Sequence, residues 1–423
     1  MLIQLPYGDA RSVEIRVPDE NFDGMLEPHP SIPAPDAAAA VAKAIDCPIG
    51  TAPLSEKLTP DSRVCVICDD ISRPTPVSLI LPVLLSRIAD CGVSRDNVRI
   101  VMALGSHRYM TDDEIRTRVG AEVYEHYTVV NSEFRDEARL IDLGKTADGV
   151  DIVVTKDVMD ADVRIGIGNI VPHPVMGWSG GGKILFPGVT AEHTVAQFHM
   201  LGGLSDVRLV GVEDNPVRLR MESWVPKIGL DFIINTVLDA ELRIVSVVAG
   251  DYVAAHREGV KLAKQVMCCP MKRRADVIIV SSYPCDEDFW QSGKGFCNAE
   301  GGLKDADSTM ILITPNWEGM GPHSEYGSCF GSDESGELLQ KLYDGEPVPG
   351  DPLALAVGTS MSKMRRRCRL VCVSDGVTRK EIEDCGIEYY PLDRLQEAVD
   401  NTLARYDSPV VAAVSHGGEF LLV

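Results

Sequence analysis

The chain has 423 residues, enough for two or three domains. Its 63 acidic against 41 basic side chains give a formal charge of -22, a surface that repels nucleic-acid phosphates and anionic membranes. No apolar run is long enough to cross a bilayer, and MLIQLPYGDARS lacks the layout of a signal peptide, so a cytoplasmic protein is expected.

Short apolar strands alternate with helical stretches, which predicts an α/β fold with mostly parallel sheets. In chain order the strands are RVCVIC (63–68), VRIVMAL (98–104), VRIGIG (163–168), DFIINTVL (231–238), LRIVSVV (242–248), ADVIIVSS (275–282), TMILIT (309–314), RLVCVS (369–374) and PVVAAVS (409–415). Between the first two, VSLILPVLLSRIADCG reads as a helix ending at Gly92. Thr111-Asp112-Asp113-Glu114 fits an S/T-x-x-E capping box, so another helix begins just after ALGSHRYM. CCPMKRR, before residue 275, separates a helical run from a fresh strand. Two α/β domains are therefore expected, one over 1–267 and one over 275–404. Residues 405–423 are free to complete either sheet, the first included. The 12 cysteines are scattered and several lie in apolar strands, where they read as small buried hydrophobes. Cys65 and Cys68, three apart on a strand, point to opposite faces and should neither pair nor chelate.

Ligands of open α/β sheets gather where strands end. Four such loops stand out: CDDISRPTP, LGSHRYMT, GNIVPHPVMGWSGGGKILFPG and YPCDEDFWQSGKG. Gly177 to Lys183 spell G-x-x-x-x-G-K, most of a P-loop. The hydroxyl that should follow the lysine is replaced by Ile184, and Pro187-Gly188 interrupts the helix that should be running. What remains is a glycine nest carrying one lysine, suited to an anion or to covalent attachment through the amine. Gly166-Ile167-Gly168 is the nearest approach to a dinucleotide fingerprint, but Val171 stands at the third glycine position, which disfavours a nicotinamide-dependent dehydrogenase. His193 and His199 are six apart, about 600° around a helix, and are poor co-ligands. His107 directly follows a strand and precedes a capped helix, a common place for a catalytic imidazole.

Together these loops resemble the nickel-pincer-nucleotide-dependent lactate racemase family along nearly the whole chain. Asp70-Ile71-Ser72-Arg73-Pro74-Thr75-Pro76 looks like its D-x-T/S-R-P-x-P motif, and Gly105-Ser106-His107-Arg108 like its G-x-H-R. His173 followed by Ser179-Gly180-Gly181 and Lys183 is similar to its H…SGG-x-K, with His199 at the family's spacing beyond the lysine. Gln291-Ser292-Gly293-Lys294-Gly295 resembles its Q-x-x-K-G.

The resemblance implies two α/β domains with the active site in the cleft between them, the N-terminal one binding the cofactor. It implies a racemase or epimerase that inverts the carbinol carbon of a lactate-like 2-hydroxy acid by reversible hydride transfer to the nickel-pincer nucleotide. His107 and His173 are then the acid/base groups. Asp70, Ile71, Ser72, Arg73, Ser179, Gly180, Gly181, Lys183 and His199 are expected at the cofactor, with His199 as the nickel ligand. Lys183 is the attachment point in the prototype, and whether the bond forms here is left open. Arg73, Gln291, Lys294 and Trp290 are expected at the substrate. The implied partners are a small 2-hydroxy acid and the enzymes that build the cofactor: a carboxylase, a sulfur transferase and a nickel insertase. The alternative is a non-catalytic protein that binds or stores the nucleotide, which would need Lys183 and His199 but neither His107 nor His173. Gly182 stands where the prototype has arginine, Trp290 where it has tyrosine, and no tryptophan follows Trp317. These departures suggest a pocket of different shape and a substrate other than lactate, whose identity and the oligomeric state the sequence leaves open.

Overall fold

The computed structural model describes residues 1–105 and 107–423; Ser106, within the Gly105-Ser106-His107-Arg108 stretch, lies outside the described residues. All nine predicted strands form, and they divide between two six-stranded sheets. The first sheet runs, side by side, Ile244–Gly250, Phe232–Leu238, Val163–Asn169, Val64–Asp69, Val98–Ala103 and Thr128–Asn131. Its central strands are unbroken Val/Ile/Cys runs because both faces are covered, the pattern of a buried parallel sheet. Ile244–Gly250 alone is antiparallel to its neighbour. The turn before it places Leu242 at φ 60°, so this pair is a hairpin rather than a crossover. Cys65 falls in one hydrophobic core and Cys68 in the other, on opposite faces of their strand, as alternation requires.

The second sheet runs Glu388–Tyr390, Arg369–Val373, Thr309–Ile313, Val277–Ser281, Val411–Val414 and Phe22–Leu26, all parallel. Its two last members depart from the expected boundaries. Phe22–Leu26 pairs with Val411–Val414, and the Leu2–Tyr7/Arg11–Arg16 hairpin buries Ile3, Leu5, Tyr7 and Ile15 against Val277, Ile311 and Val371. The expected N-terminal unit over 1–267 therefore surrenders residues 2–26 to the second sheet. The final strand completes that sheet and not the first. Cys268–Cys269 pairs with Leu421–Leu422, so the C-terminus closes over the junction between the units.

Helix Val77–Asp90 turns Ile80, Leu81, Leu84, Leu85 and Ile88 into the core at 3-4 spacing and stops before Gly92, whose φ of 82° no β-carbon favours. Helix Asp112–Val119 has the full reciprocal capping box between Thr111 and Glu114.

In each sheet the chain reverses direction once. In the first the reversal lies between Val64–Asp69 and Val163–Asn169. In the second it lies between Val277–Ser281 and Val411–Val414. Loops leaving neighbouring strands at such a point part to opposite sides and open a crevice. The four loops singled out from sequence leave strands at or beside these two points.

Candidate functional site

Those loops line one cleft of about 1250 Å³, counted to its open mouth, with walls from both units. The first sheet contributes Asp70, Arg73, His107, His173, Ser179, Gly180, Lys183 and, from helix Glu192–Leu204, His199. The second contributes Trp290, Gln291 and Lys294.

A hydrogen-bond chain joins the units through the cleft. Lys294 Nζ, which can only donate, reaches Gln291 Oε1 at 2.6 Å. That turns the Gln291 amide so that its Nε2 donates to His107 Nε2 at 3.0 Å. His107 Nε2 must then be an acceptor, and its Nδ1–H points to Asp70 Oδ2 at 2.5 Å. Asp70 is buried and also accepts from Ser72 Oγ at 2.5 Å and Ser72 N at 2.9 Å. Burial alone would raise its pKa, but the His107 imidazole, Arg73 and the Ser72 hydroxyl hold the carboxyl well below the usual carboxylate range. The loop is anchored from behind by Arg118, which donates to Asp69 O at 3.2 Å and Arg73 O at 2.7 Å.

His173 is held the opposite way round. Its Nδ1 accepts from the backbone N–H groups of Val175 (3.2 Å) and Met176 (3.1 Å), so a neutral ring carries its proton on Nε2. Burial, with Lys183, Arg73 and Lys294 nearby, keeps its pKa well below the ordinary histidine value. His199 is bound at Nδ1 by Val195 O at 2.8 Å, which leaves the Nε2 lone pair unused. Burial lowers its pKa to about 4, so it is a neutral imidazole over the working range.

Lys183 sits on the single turn Gly181–Ile184, with its amine pushed down to about 7 by burial and by the cations Arg73 and Lys294. Gly180 and Gly181 have φ of 78° and 61°. A β-carbon on Gly180 would lie 2.8 Å from Asn235 Oδ1, which already accepts from Gly181 N at 2.8 Å. The glycines are thus required by the close approach of the loop to the sheet, and no P-loop helix follows. Gly166-Ile167-Gly168 lies inside strand Val163–Asn169 and cannot open a phosphate loop.

Not every predicted site residue reaches the cleft. Ile71 is 39% exposed and turned away, and Ser72 acts through Asp70. The Ser179 hydroxyl is used within the loop, between Asn169 O (2.7 Å) and Val171 N (2.9 Å), and Gly181 is a backbone support. His193 is exposed, away from His199. Reading the sequence missed Asn169 and Asn235 beside the cradle and, from the second unit, Cys297, Tyr326, Val357, Ser360 and Met361 in the same lining. The asparagines were detectable, since Asn169 ends a strand and Asn235 interrupts an apolar one. The second group sits among core residues on helices and carries no local signal.

The residues fit a bound nucleotide with a soft metal. Among the described residues, no three His, Cys, Asp or Glu side chains cluster, so a metal here would take most donors from its own ligand and one from His199 Nε2. Asn169 Nδ2, buried beside the glycine cradle, has no partner among the described residues. An unpaired donor at a cradle wall is a place for a ligand atom.

Fold and cleft together define a two-unit α/β protein whose facing crevices set cations and oriented imidazoles around one cleft. Residues 7–208 match the family model of the lactate racemase N-terminal domain. The lactate racemase of Lactiplantibacillus plantarum is 29% identical over 348 residues, 80% of either chain. That of Thermoanaerobacterium thermosaccharolyticum is 28% identical over 346 residues, again 80% of each. The chain is thus similar to lactate racemases over most of its length, and its first half carries the match to their N-terminal domain. Its fold matches the lactate racemase apoprotein of T. thermosaccharolyticum with a TM-score of 0.87 at 23% identity, covering all of both chains. A Thermotoga maritima protein matches at 0.71 and 18% identity, over 93% of this chain and 99% of the other.

Proposed function

We propose that the protein is an isomerase that racemises or epimerises a 2-hydroxy acid at its carbinol carbon, with the cleft as its active site. The observation that carries this reading is the Asp70–His107–Gln291–Lys294 chain, set beside Arg73 and His173 and within the same cleft as Lys183 and His199. Arg73 and Lys294 provide two cations for the substrate carboxylate, and Gln291 bridges that end to His107. On substrate binding the Gln291 N–H gives way at His107 Nε2, whose lone pair then accepts the hydroxyl proton of one configuration, and Asp70 stabilises the imidazolium that results. His173, with its proton on Nε2, faces the oxygen of the other configuration. The proton taken up by His107 is the one returned to the oxygen when the carbon is reduced on its other face, while neutral His173 hydrogen-bonds that oxygen through Nε2–H and keeps its own proton.

The hydrogen on the carbinol carbon is too weakly acidic beside a carboxylate for these groups to remove as a proton. The nickel-pincer nucleotide supplies a hydride-accepting centre when bound, and Lys183, His199, Asn169 and the Gly180–Gly181 turn are the residues that would hold it. With its amine near neutral pKa, Lys183 has a nucleophilic fraction at pH 7, which suits covalent attachment. The two-walled cleft would keep the planar 2-keto acid from escaping. A storage protein would have no use for the buried Asp70–His107 pair.

The test is co-expression with the cofactor-building enzymes, followed by nickel content, intact mass and loss of optical purity in enantiopure 2-hydroxy acids. One nickel per chain with racemisation that disappears in His107→Asn supports the proposal. Nickel bound with no racemisation of any acid would leave only binding.

A further inference from the structure

The cleft has one wall that the proposed proton transfers do not use. On the second unit's side the cleft is also lined by Trp290, Cys297, Tyr326, Val357, Ser360 and Met361. Val357, Ser360 and Met361 lie at i, i+3 and i+4 on helix Pro352–Arg365 and so share one face. None of the six carries a charge. The Ser360 hydroxyl is turned back to Ala356 O at 3.4 Å, so the face it presents is largely apolar. At position 357 the side chain is a partly buried valine on the cleft lining, so its size sets how near this face comes to a ligand.

The wall is also held rigidly. Asp351 caps the helix, accepting from Leu353 N at 2.8 Å and Ala354 N at 3.2 Å, and its other oxygen pairs with His323 Nδ1 at 2.6 Å. The His323 ring lies tilted against Trp290 with centroids 4.6 Å apart, and Tyr326 meets the indole edge-on at 4.8 Å. Helix and indole are thus tied together, and the wall cannot collapse onto a small ligand without breaking the cap.

A substrate methyl group would leave this wall bare and forfeit its contacts. A second carboxylate would be desolvated there without a partner, since the cleft's paired cations, Arg73 and Lys294, are already taken by the first. We infer that the substrate is a 2-hydroxy acid whose substituent is uncharged and larger than methyl, of branched-alkyl to benzyl size, and that Val357 sets this preference. The inference rests on the racemase reading of the same cleft.

Two readouts test it. Calorimetry on the purified protein measures binding of enantiopure 2-hydroxy-4-methylpentanoate, lactate and malate, and chiral chromatography measures their racemisation by the nickel-loaded protein. Each added methylene in a fitting pocket is worth roughly tenfold or more. The methylpentanoate should therefore bind and turn over at least about tenfold better than lactate, and malate should be worst. Val357→Trp should cut the methylpentanoate-to-lactate ratio by about tenfold, and Ser360→Leu, narrowing the same face, should move it the same way. Lactate or malate ahead in both readouts would overturn the assignment alone. So would a ratio unchanged in both variants when their melting curves match the parent. No racemisation of any of the three by nickel-loaded protein would instead sink the racemase reading, and the assignment with it.

Discussion

The tautomer of His107 is fixed through a relay of side chains: an ammonium that can only donate orients an amide, the amide orients an imidazole, and a carboxylate takes the remaining N–H. Asp70→Asn breaks the last link, because an amide can present its NH₂ to Nδ1 and shift the ring proton to Nε2. Racemisation should fall by about 10²- to 10⁴-fold, the range of general acid–base catalysis, while nickel content stays at one per chain. A loss of nickel in that variant would instead make Asp70 a cofactor residue, as its place in the motif suggested. Lys183 gives a second measurement at this scale. Its amine should react with a small amine reagent with a pH midpoint near 7, read by peptide mass mapping; a midpoint above 9 would refute the burial argument. The sign for stability follows. A lysine lowered from 10.5 to about 7 on folding binds fewer protons than in the unfolded chain between those values, so this group makes the apoprotein more stable as pH rises from 7 to 10. Lys183→Met should flatten that rise in urea melts.

Among the elements, helix Asp112–Val119 shows how a short, polar segment serves the site. Its buried face is small, so the capping box carries much of its stability. Arg118 from its last turn donates to the carbonyls of Asp69 and Arg73. Thr111→Ala should cost about 1 kcal/mol in a denaturant melt. Arg118→Met should raise the KM for the 2-hydroxy acid more than it lowers kcat, because it frees the loop that presents Arg73. An unchanged KM would mean that Arg73 is held by other contacts. The capping box was legible in the sequence because it is local. The role of Arg118 was not, since its partners lie more than 40 residues away.

For the whole molecule, the consequential finding is that the chain begins in its second unit. Residues 2–26 supply an edge strand and a hairpin whose Ile3, Leu5, Tyr7 and Ile15 are buried on the second sheet. At roughly 1.5–3 kcal/mol for each fully buried side chain, this contribution is comparable with the net stability of a domain. A chain starting at residue 27 should lose the unfolding transition of the C-terminal unit, seen by near-ultraviolet circular dichroism. Retention of that transition would show that the hairpin is an ornament.

The sequence by itself determined nine of the twelve strands in the two large sheets, the capping box at Thr111 and four ligand-bearing loops, because hydrophobic period, caps and glycine chemistry act within a few residues. The short edge strands Phe22–Leu26, Thr128–Asn131 and Glu388–Tyr390 escaped it. It also marked His107, His173, Lys183, His199, Gln291 and Lys294, whose motifs are short and ordered along the chain. Tertiary structure alone decided which sheet the terminal strands join, since strand partners hundreds of residues apart leave no local pattern. It alone set the tautomers of the two histidines, which depend on Asp70 and Gln291 for one ring and on backbone amides for the other. The uncharged wall around Val357 likewise emerged only on folding, because an apolar residue lining a cleft and one packed in a core look the same in one dimension.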